Sequence, residues 1–308
     1  MNEYFPEGAR IGTAENRAAL RSLPLLKEAL QKETVLEARA VKCGRAHELH
    51  VDLGVAEGII PREEGALGID TGAIRDVALI SRVGKPVCFV VTGFRRDETG
   101  RTQALLSRKR AQEKCVEEYL SALLPGDVIN VAVTHMEAFG VFCDVGAGVT
   151  ALLPVDAVSV SRIPHPGVRF FVGQQIKAAV RGRDTLGRIS LTHKELLGTW
   201  EENAALFAVG ETVPGVIRSV ESYGVFVELT PNLAGLAEFT EDVRAGQTAA
   251  VYIKSILPER MKIKLVLVDV SDEPAPLREP RYFFAGNHIS HFRYSPAAAV
   301  KVIETVFY

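Results

Sequence analysis

Apolar residues recur along this chain with two different periods, and the change of period marks its organisation. Between residues 13 and 31, Leu20, Leu23, Leu26 and Leu30 fall at helical spacing, and Thr13 is placed to cap the first turn. Pro24 divides the stretch into two short helices, because proline lacks a backbone N–H and clashes with the preceding turn. From Thr34 the period drops to two. Val35, Leu49, Val51 and Leu53 lie in short β-type runs broken by glycine. Further β-rich stretches cover residues 127–191 and 211–268. Helical segments separate them, at 108–124 and at 193–207. The second of these carries Trp200, which is expected to pack its helix against a barrel.

The two later β stretches are copies of one another. GDVINVAVTHMEAFGVFCDV at 126–145 aligns without a gap on GETVPGVIRSVESYGVFVEL at 210–229, with a constant offset of 84. The second halves correspond too: Gly173–Val180 matches Gly246–Ile253, and Arg188–Leu191 matches Lys262–Leu265. The first stretch is a more distant copy, in which 52–61 parallels 144–154 and Gly84–Val87 parallels the Gly173 segment. No aromatic pair stands there where Phe139 and Phe142 stand in the second copy. About five short strands per copy, with a long connection before the fourth, fit a Greek-key barrel of the OB type. The expected fold is therefore mainly β: three tandem five-stranded OB-fold barrels joined by short α-helices. The expected segments are an N-terminal helical one (1–32), a degenerate barrel (33–110), a helical linker (111–124), a second barrel (125–193), a second linker (194–208), a third barrel (209–270) and a C-terminal tail (271–308).

Composition narrows the class. Among 308 residues 47% are apolar and 24% charged, enough for several ordinary cores. The four cysteines form no CxxC pair, so neither a zinc ribbon nor a disulfide framework is supported, and their scatter fits a reducing cytoplasm. The start, Met1 to Pro6, has no basic and apolar signal pattern, and no apolar run approaches about 20 residues, so no membrane is expected. The net charge is −2, unlike that of a simple nucleic-acid binder, yet the charge is segregated. Residues 160–194 hold seven cations (Arg162, Arg169, Lys177, Arg181, Arg183, Arg188 and Lys194) against Asp184 alone. Residues 244–264 hold five, Lys254 and Lys262 among them, against Glu259. The intervening 195–242 carries nine acids against Arg218.

The pattern G-x-x-V, aromatic-G-V-F, G-Q and K/R-I-x-L resembles the RNA-binding repeat of the ribosomal protein S1 family, found also in polynucleotide phosphorylase and ribonuclease E. Three copies with helical linkers look most like a short homologue of the Gram-positive type. The resemblance covers roughly residues 33–268, specifically in the second and third copies and loosely in the first. It implies that RNA lies across one barrel face, against two aromatics of the second strand, a residue at the end of the third, and an acid and a base before the last strand. By motif position these are Phe139, Phe142, Pro154, Asp184 and Arg188 in the second copy. In the third they are Tyr223, Phe226, Glu238, Pro258 and Lys262, so the family's frequent histidine is absent from both and the acid from the third.

The residue types suit that chemistry, since unstacked bases lie on aromatic rings and phosphates need cations. Gly140 or Gly224 permits a bulge that brings both rings to one face. Thr134, His135 and Arg218, on neighbouring strands, are placed to reach it. The four rings have an alternative reading as core, the basic residues as solvated hairpin charges, and Asp184 as a turn cap. The gap-free duplication favours stacking, with Val141, Val145, Val225, Val227 and Leu229 left to fill the inside. In the tail, Arg278, Arg281 and aromatic neighbours interleave. Val300, Val302, Ile303, Val306 and Phe307 are expected to dock it on a barrel. His288 and His291 lack a partner at metal-ligand spacing.

No GxSxG, P-loop, HExxH or GxGxxG motif is present, so no enzyme activity, cofactor, metal or small-molecule substrate is expected. The expected partner is single-stranded RNA, messenger RNA in particular, with the 30S ribosomal subunit as the place of action in translation. The alternatives are a non-ribosomal RNA-binding regulator or RNA-decay accessory, and a protein-interaction scaffold using the same barrels.

Overall fold

A computed structural model describes residues 4–308; residues 1–3 of the expected N-terminal segment and signal-free start lie outside the described residues. The chain divides into two compact units, one holding the chain up to Leu123 together with Asp144–Thr150, the other holding Leu124–Cys143 and Ala151–Tyr308.

In the first unit, α1 (Ala14–Ala19) is capped by the Thr13 hydroxyl, which accepts the Asn16 N–H, as its sequence suggests. In α2 (Leu23–Gln31) Pro24 sits in the first turn. There the missing N–H costs nothing, so the break between the helices precedes the proline. Strands β1 (Leu36–Cys43), β2 (Leu49–Asp52) and β3 (Glu57–Ile60) are followed by a short α3 (Val77–Ile80), then β4 (Pro86–Arg96) and β5 (Thr102–Ser107). They close a barrel in the order β1-β2-β3-β5-β4. Alternate residues point inward: Leu36, Ala38 and Ala40 of β1, with Phe89 and Leu106, pack on Leu26 of α2. The helix α4 (Arg108–Glu118) begins at Arg108, capped by Ser107.

The second barrel is built from β6 (Val128–Glu137), β7 (Gly140–Asp144), β8 (Thr150–Pro154), β9 (Gln175–Arg183) and β10 (Ile189–Thr192), closed in the order β10-β8-β7-β6-β9. Then come α5 (Trp200–Ala204), with a Thr199/Glu202 capping box, and the third barrel. Its strands are β11 (Thr212–Glu221), β12 (Gly224–Thr230), β13 (Leu233–Ala237), β14 (Thr248–Leu257) and β15 (Lys262–Ser271), closed as β11-β12-β13-β15-β14. Trp200 is buried in the core of this barrel. Of the expected inward positions, Val141, Val145, Val225 and Val227 are fully buried, whereas Leu229 is only half-buried.

The tail docks on the second unit, but through other residues than its most apolar ones. Tyr282 accepts the Lys177 N–H, and Tyr294 donates to the Asn232 carbonyl. Ile289 and Tyr294 are buried, while Val300 is 95% exposed. The strands β16 (His291–Arg293) and β17 (Glu304–Val306) pair with each other and so leave Val302 and Val306 largely outside. His288 pairs with Asp127 and His291 with Glu304.

Residues 4–11 adopt no helix or strand and are held by buried carboxylates. Glu7 receives two bonds from Arg108 and one from Arg82. The Asp144 carboxylate accepts the N–H groups of Glu7, Gly146 and Gly148 at 2.8, 2.8 and 3.0 Å. These bonds fix the turn that ends β7. Burial and the nearby Glu7 charge nevertheless push the Asp144 carboxyl up to about 7. A carboxyl raised in the folded state stabilises below its ordinary range, and that contribution is lost as pH climbs through 7. Hydrogen-exchange protection of residues 4–11 and 144–150, corrected for intrinsic rates, should therefore fall between about pH 4 and pH 7 and level off above that. The change should be on the order of a few kcal/mol, and Asp144→Asn should flatten it. A flat wild-type profile would contradict the assignment.

Candidate nucleic-acid interface

A closed barrel fills its interior with alternate side chains. In β7, Val141 and Cys143 are buried, so Phe142 between them faces outward. Phe139 lies in the turn just before β7 and is 57% exposed. Three residues of regular strand would put two such rings on opposite sides. Here the chain turns sharply at Gly140. A Cβ on Gly140 would stand 2.7 Å from the Leu153 carbonyl oxygen and 3.2 Å from Pro154 Cα. The missing side chain lets the start of β7 press on the end of β8, where the Val155 N–H donates to the Phe139 carbonyl at 2.9 Å. The result is a pair of rings on one face, with centroids 5.9 Å apart and planes at 89°. His135 of β6 stacks on Phe142 at 5.9 Å and 23°. Thr134 donates its hydroxyl to the Phe142 carbonyl, which fixes the strands that carry the rings.

The third barrel repeats the device. Tyr223, 67% exposed, meets Phe226 at 6.1 Å and 88°. A Cβ on Gly224 would lie 2.5 Å from the Ala237 carbonyl. The strand register then defines the wall around the rings, because directly paired residues point to the same side. Ser219 pairs with Phe226, Phe226 with Leu236, Leu236 with Lys264, and Lys264 with Ser255. Lys264 thus shares the ring wall, and exposed Lys262 has the same phase along β15. Lys264 joins Lys262 through the alternation of the last strand, a signal present in the sequence. Lys254 falls in the β14 bulge and is exposed.

In the second barrel the hairpin between β9 and β10 brings three cations together. Arg181 occupies a bulge, and Arg183 and Arg188 flank the turn. Arg188 is 71% exposed at its side chain and donates to Asp184 at 2.7 Å. Asp184 also accepts the N–H groups of Leu186 and Arg188, both at 2.9 Å, so it caps its turn and pairs with the base at once. The Arg188 N–H and then its guanidinium hold the Asp184 carboxyl below its ordinary range. Ser190, two residues on, pairs with Leu152 and with Gly182, which ties this hairpin to β8.

Other candidates are placed elsewhere. Arg218 does not join the rings: its side chain is largely buried and binds Glu228 through two bonds of 2.8 and 3.0 Å. It falls in the bulge of β11, between Ile217 and Ser219. Arg169 joins the same carboxylate, and Lys177 lies over the Tyr282 ring. Pro154 closes β8, and Glu238 lies just past β13 and is exposed. Pro258 opens the short turn before β15.

The first barrel holds a feature that a search for Phe and Tyr overlooks. Lys42 pairs with His50, His50 with Ile59, Ile59 with Leu105 and Leu105 with Gly93, the same row as Ser219 to Ser255. His50 therefore stands where Phe226 stands, and His47 stands three residues earlier. Carboxylates surround both imidazoles: Glu57 at 2.6 Å and Glu48 at 3.5 Å from His50, and Asp76 at 3.8 Å from His47. The shared three-residue spacing of 47/50, 139/142 and 223/226 was the signal in the sequence. Among the described residues no three His, Cys, Asp or Glu side chains converge as a metal ion would require. No helix among them is long and apolar enough to cross a membrane.

Residues 124–194 match the family described as S1 RNA binding domain. The chain is similar to small ribosomal subunit protein bS1 of Rhizobium meliloti (strain 1021), 28% identical over 239 residues, covering 73% of this chain and 41% of that one. It is also similar to small ribosomal subunit protein bS1 of Leuconostoc lactis, 27% identical over 275 residues, covering 79% and 64%. The chain thus spans less than two thirds of these relatives' length. A solved multidomain protein with nucleic acid binding domains from Streptococcus pneumoniae matches 77% of this chain and 74% of its own, at 14% identity and a TM-score of 0.25.

The glycine between the rings gives a direct test of the wall. Gly140→Ala should destabilise the protein by about 1–3 kcal/mol, because backbone rather than a side chain must give way. Gly93→Ala, whose nearest neighbour would be Leu105 Cδ1 at 3.8 Å, should be close to neutral. Urea denaturation of the two variants measures the difference.

Proposed function

We propose that this chain, which carries an S1 RNA-binding domain at residues 124–194 and resembles small ribosomal subunit protein bS1 over most of its length, binds single-stranded RNA across the ring walls of its second and third barrels. The observation that carries this reading is the repeated ring pair, Phe139 with Phe142 and Tyr223 with Phe226, each turned outward beside a glycine that only close backbone approach explains. Flat faces accept any base, so binding has little sequence preference. Arg181, Arg183 and Arg188 beside the first pair, and Lys254, Lys262 and Lys264 beside the second, meet phosphates. The chain acts as a binding protein with no catalytic step, in the cytoplasm, holding messenger RNA for the 30S ribosomal subunit.

A second role falls to the first barrel. Glu48, Glu57 and Asp76 stand against its two imidazoles, and carboxylates on that wall repel phosphate. This favours a protein partner there, the ribosome first, over RNA. Co-sedimentation of the full chain with 30S subunits separates ribosomal action from that of a free RNA regulator or decay accessory.

Salt-dependent anisotropy with a fluorescent single-stranded RNA tests the main reading. The double variant Phe139→Ala with Phe142→Ala should lose roughly 2–4 kcal/mol if two bases stack. Unchanged affinity would point to a scaffold. Arg188→Gln should reduce the salt slope by about one unit with a smaller loss of affinity.

A further inference from the structure

The second unit contains a cavity of about 610 Å³ whose lining includes none of the ring residues Phe139, Phe142, Tyr223 and Phe226. It is bounded by the 168–170 turn, α5 and its following loop, strands β11 and β12, and the tail segment 275–283. Its volume lies within the range of roughly 300–1,000 Å³ typical of small-ligand sites.

Charge in its wall is unbalanced. The buried Glu228 carboxylate holds two guanidiniums, Arg218 through two bonds and Arg169 through a third. One carboxylate neutralises one of them, so the cluster keeps a positive charge. The Nε of Arg169 is buried and has no hydrogen-bond partner among the described residues. A buried guanidinium N–H without an acceptor carries its full desolvation cost. Arg278 and Arg281 also line the cavity, against Glu279. The lining therefore has four fixed cations and two acids. His193 adds no charge at neutral pH, since burial pushes it down to about 4. The remaining wall offers flat apolar surface, the half-buried rings of Phe207 and Phe283. Phe283 is seated firmly: a Cβ on Gly198 would stand 2.7 Å from its ring, and its N–H donates to the Leu196 carbonyl.

We propose that this cavity binds a nucleoside monophosphate, its phosphate on Arg169 and Arg218 and its base against Phe207 and Phe283. A phosphomonoester carries about −1.5 to −2 at neutral pH, which matches the excess of cations, and its oxygens suit guanidinium donors. The free nucleotide and the 5′-phosphorylated end of an RNA present the same group. This site does not involve the ring walls and does not depend on RNA lying across them.

Isothermal titration of the full chain with 5′-AMP tests it, with adenosine and inorganic phosphate as half-ligands. One site per chain is expected, with 5′-AMP tighter than either half. Arg169→Gln leaves the Arg218–Glu228 pair whole, so the protein should fold, and binding should weaken about tenfold or more, as loss of a charge-assisted bond implies. Arg278→Gln, exposed at the mouth, should weaken it by less and with an unchanged melting curve. The Phe139→Ala, Phe142→Ala double variant should bind 5′-AMP like wild type. In that background, competition by a 5′-phosphorylated oligonucleotide and not by its 5′-hydroxyl counterpart marks an RNA end as the source; competition by neither marks the free nucleotide. No saturable binding of 5′-AMP at millimolar concentration overturns the proposal. So does wild-type binding by both arginine variants, which would make the cluster a structural clamp alone.

Discussion

The outward rings depend on a steric constraint at the start of each second strand. A five-stranded barrel has room inside for one side chain in two, and Val141, Cys143, Val225 and Val227 take those places. Phe142 and Phe226 have no interior left to enter. Bringing a second ring beside each requires the chain to double back within three residues, which needs a position without a Cβ at the closest backbone contact. Gly140 and Gly224 occupy that contact against the Leu153 and Ala237 carbonyls. The steric rule that closes the barrel thereby also places two aromatic faces in solvent, where an ordinary protein surface would not keep them.

Charge is divided by a comparable economy of space. The cations of the 160–194 run are not equivalent once folded. Arg169 enters a buried cluster with Glu228, and Lys177 packs on Tyr282. Arg181, Arg183 and Arg188 stay on an exposed hairpin. Exposed pairs such as Arg188 with Asp184 are worth little in water and part readily, whereas a buried pair such as Arg218 with Glu228 stays together. Net charge says nothing of this partition, which explains how a chain with a formal charge of −2 presents basic surface.

Much of this was legible from the sequence because it is periodic. The offset of 84, the strand alternation and the G-V-F triplets carry the three barrels, the ring pairs and the buried Trp200. What escaped is set by tertiary contact. Arg218 has the spacing of a surface strand residue, yet it is held by Glu228, and nothing in its neighbours announces Glu228 as its partner. Lys264 was passed over because register across β13 and β15, not motif position, puts it beside Phe226. His47 and His50 fell outside a search for six-membered rings, although they keep the spacing. The tail was expected to dock by its most apolar residues. It docks instead through Tyr282 and Tyr294, whose hydroxyls bond to backbone of the second unit, and through Ile289, which is buried.

On the proposed function, energetics decide why more than one barrel is needed. Two stacked bases supply roughly 2–6 kcal/mol, and a millimolar complex already requires about 4 kcal/mol. One ring wall alone is thus near the threshold of useful binding, before the cost of ordering a flexible strand. Phosphate contacts add to it, but they weaken with salt. A second wall on the same chain changes the balance, because its engagement becomes intramolecular at an effective concentration set by the connecting segment. Duplication of the ring pair is then a requirement of the chemistry: stacking tolerates every base only by holding each one weakly, and strength has to come from number.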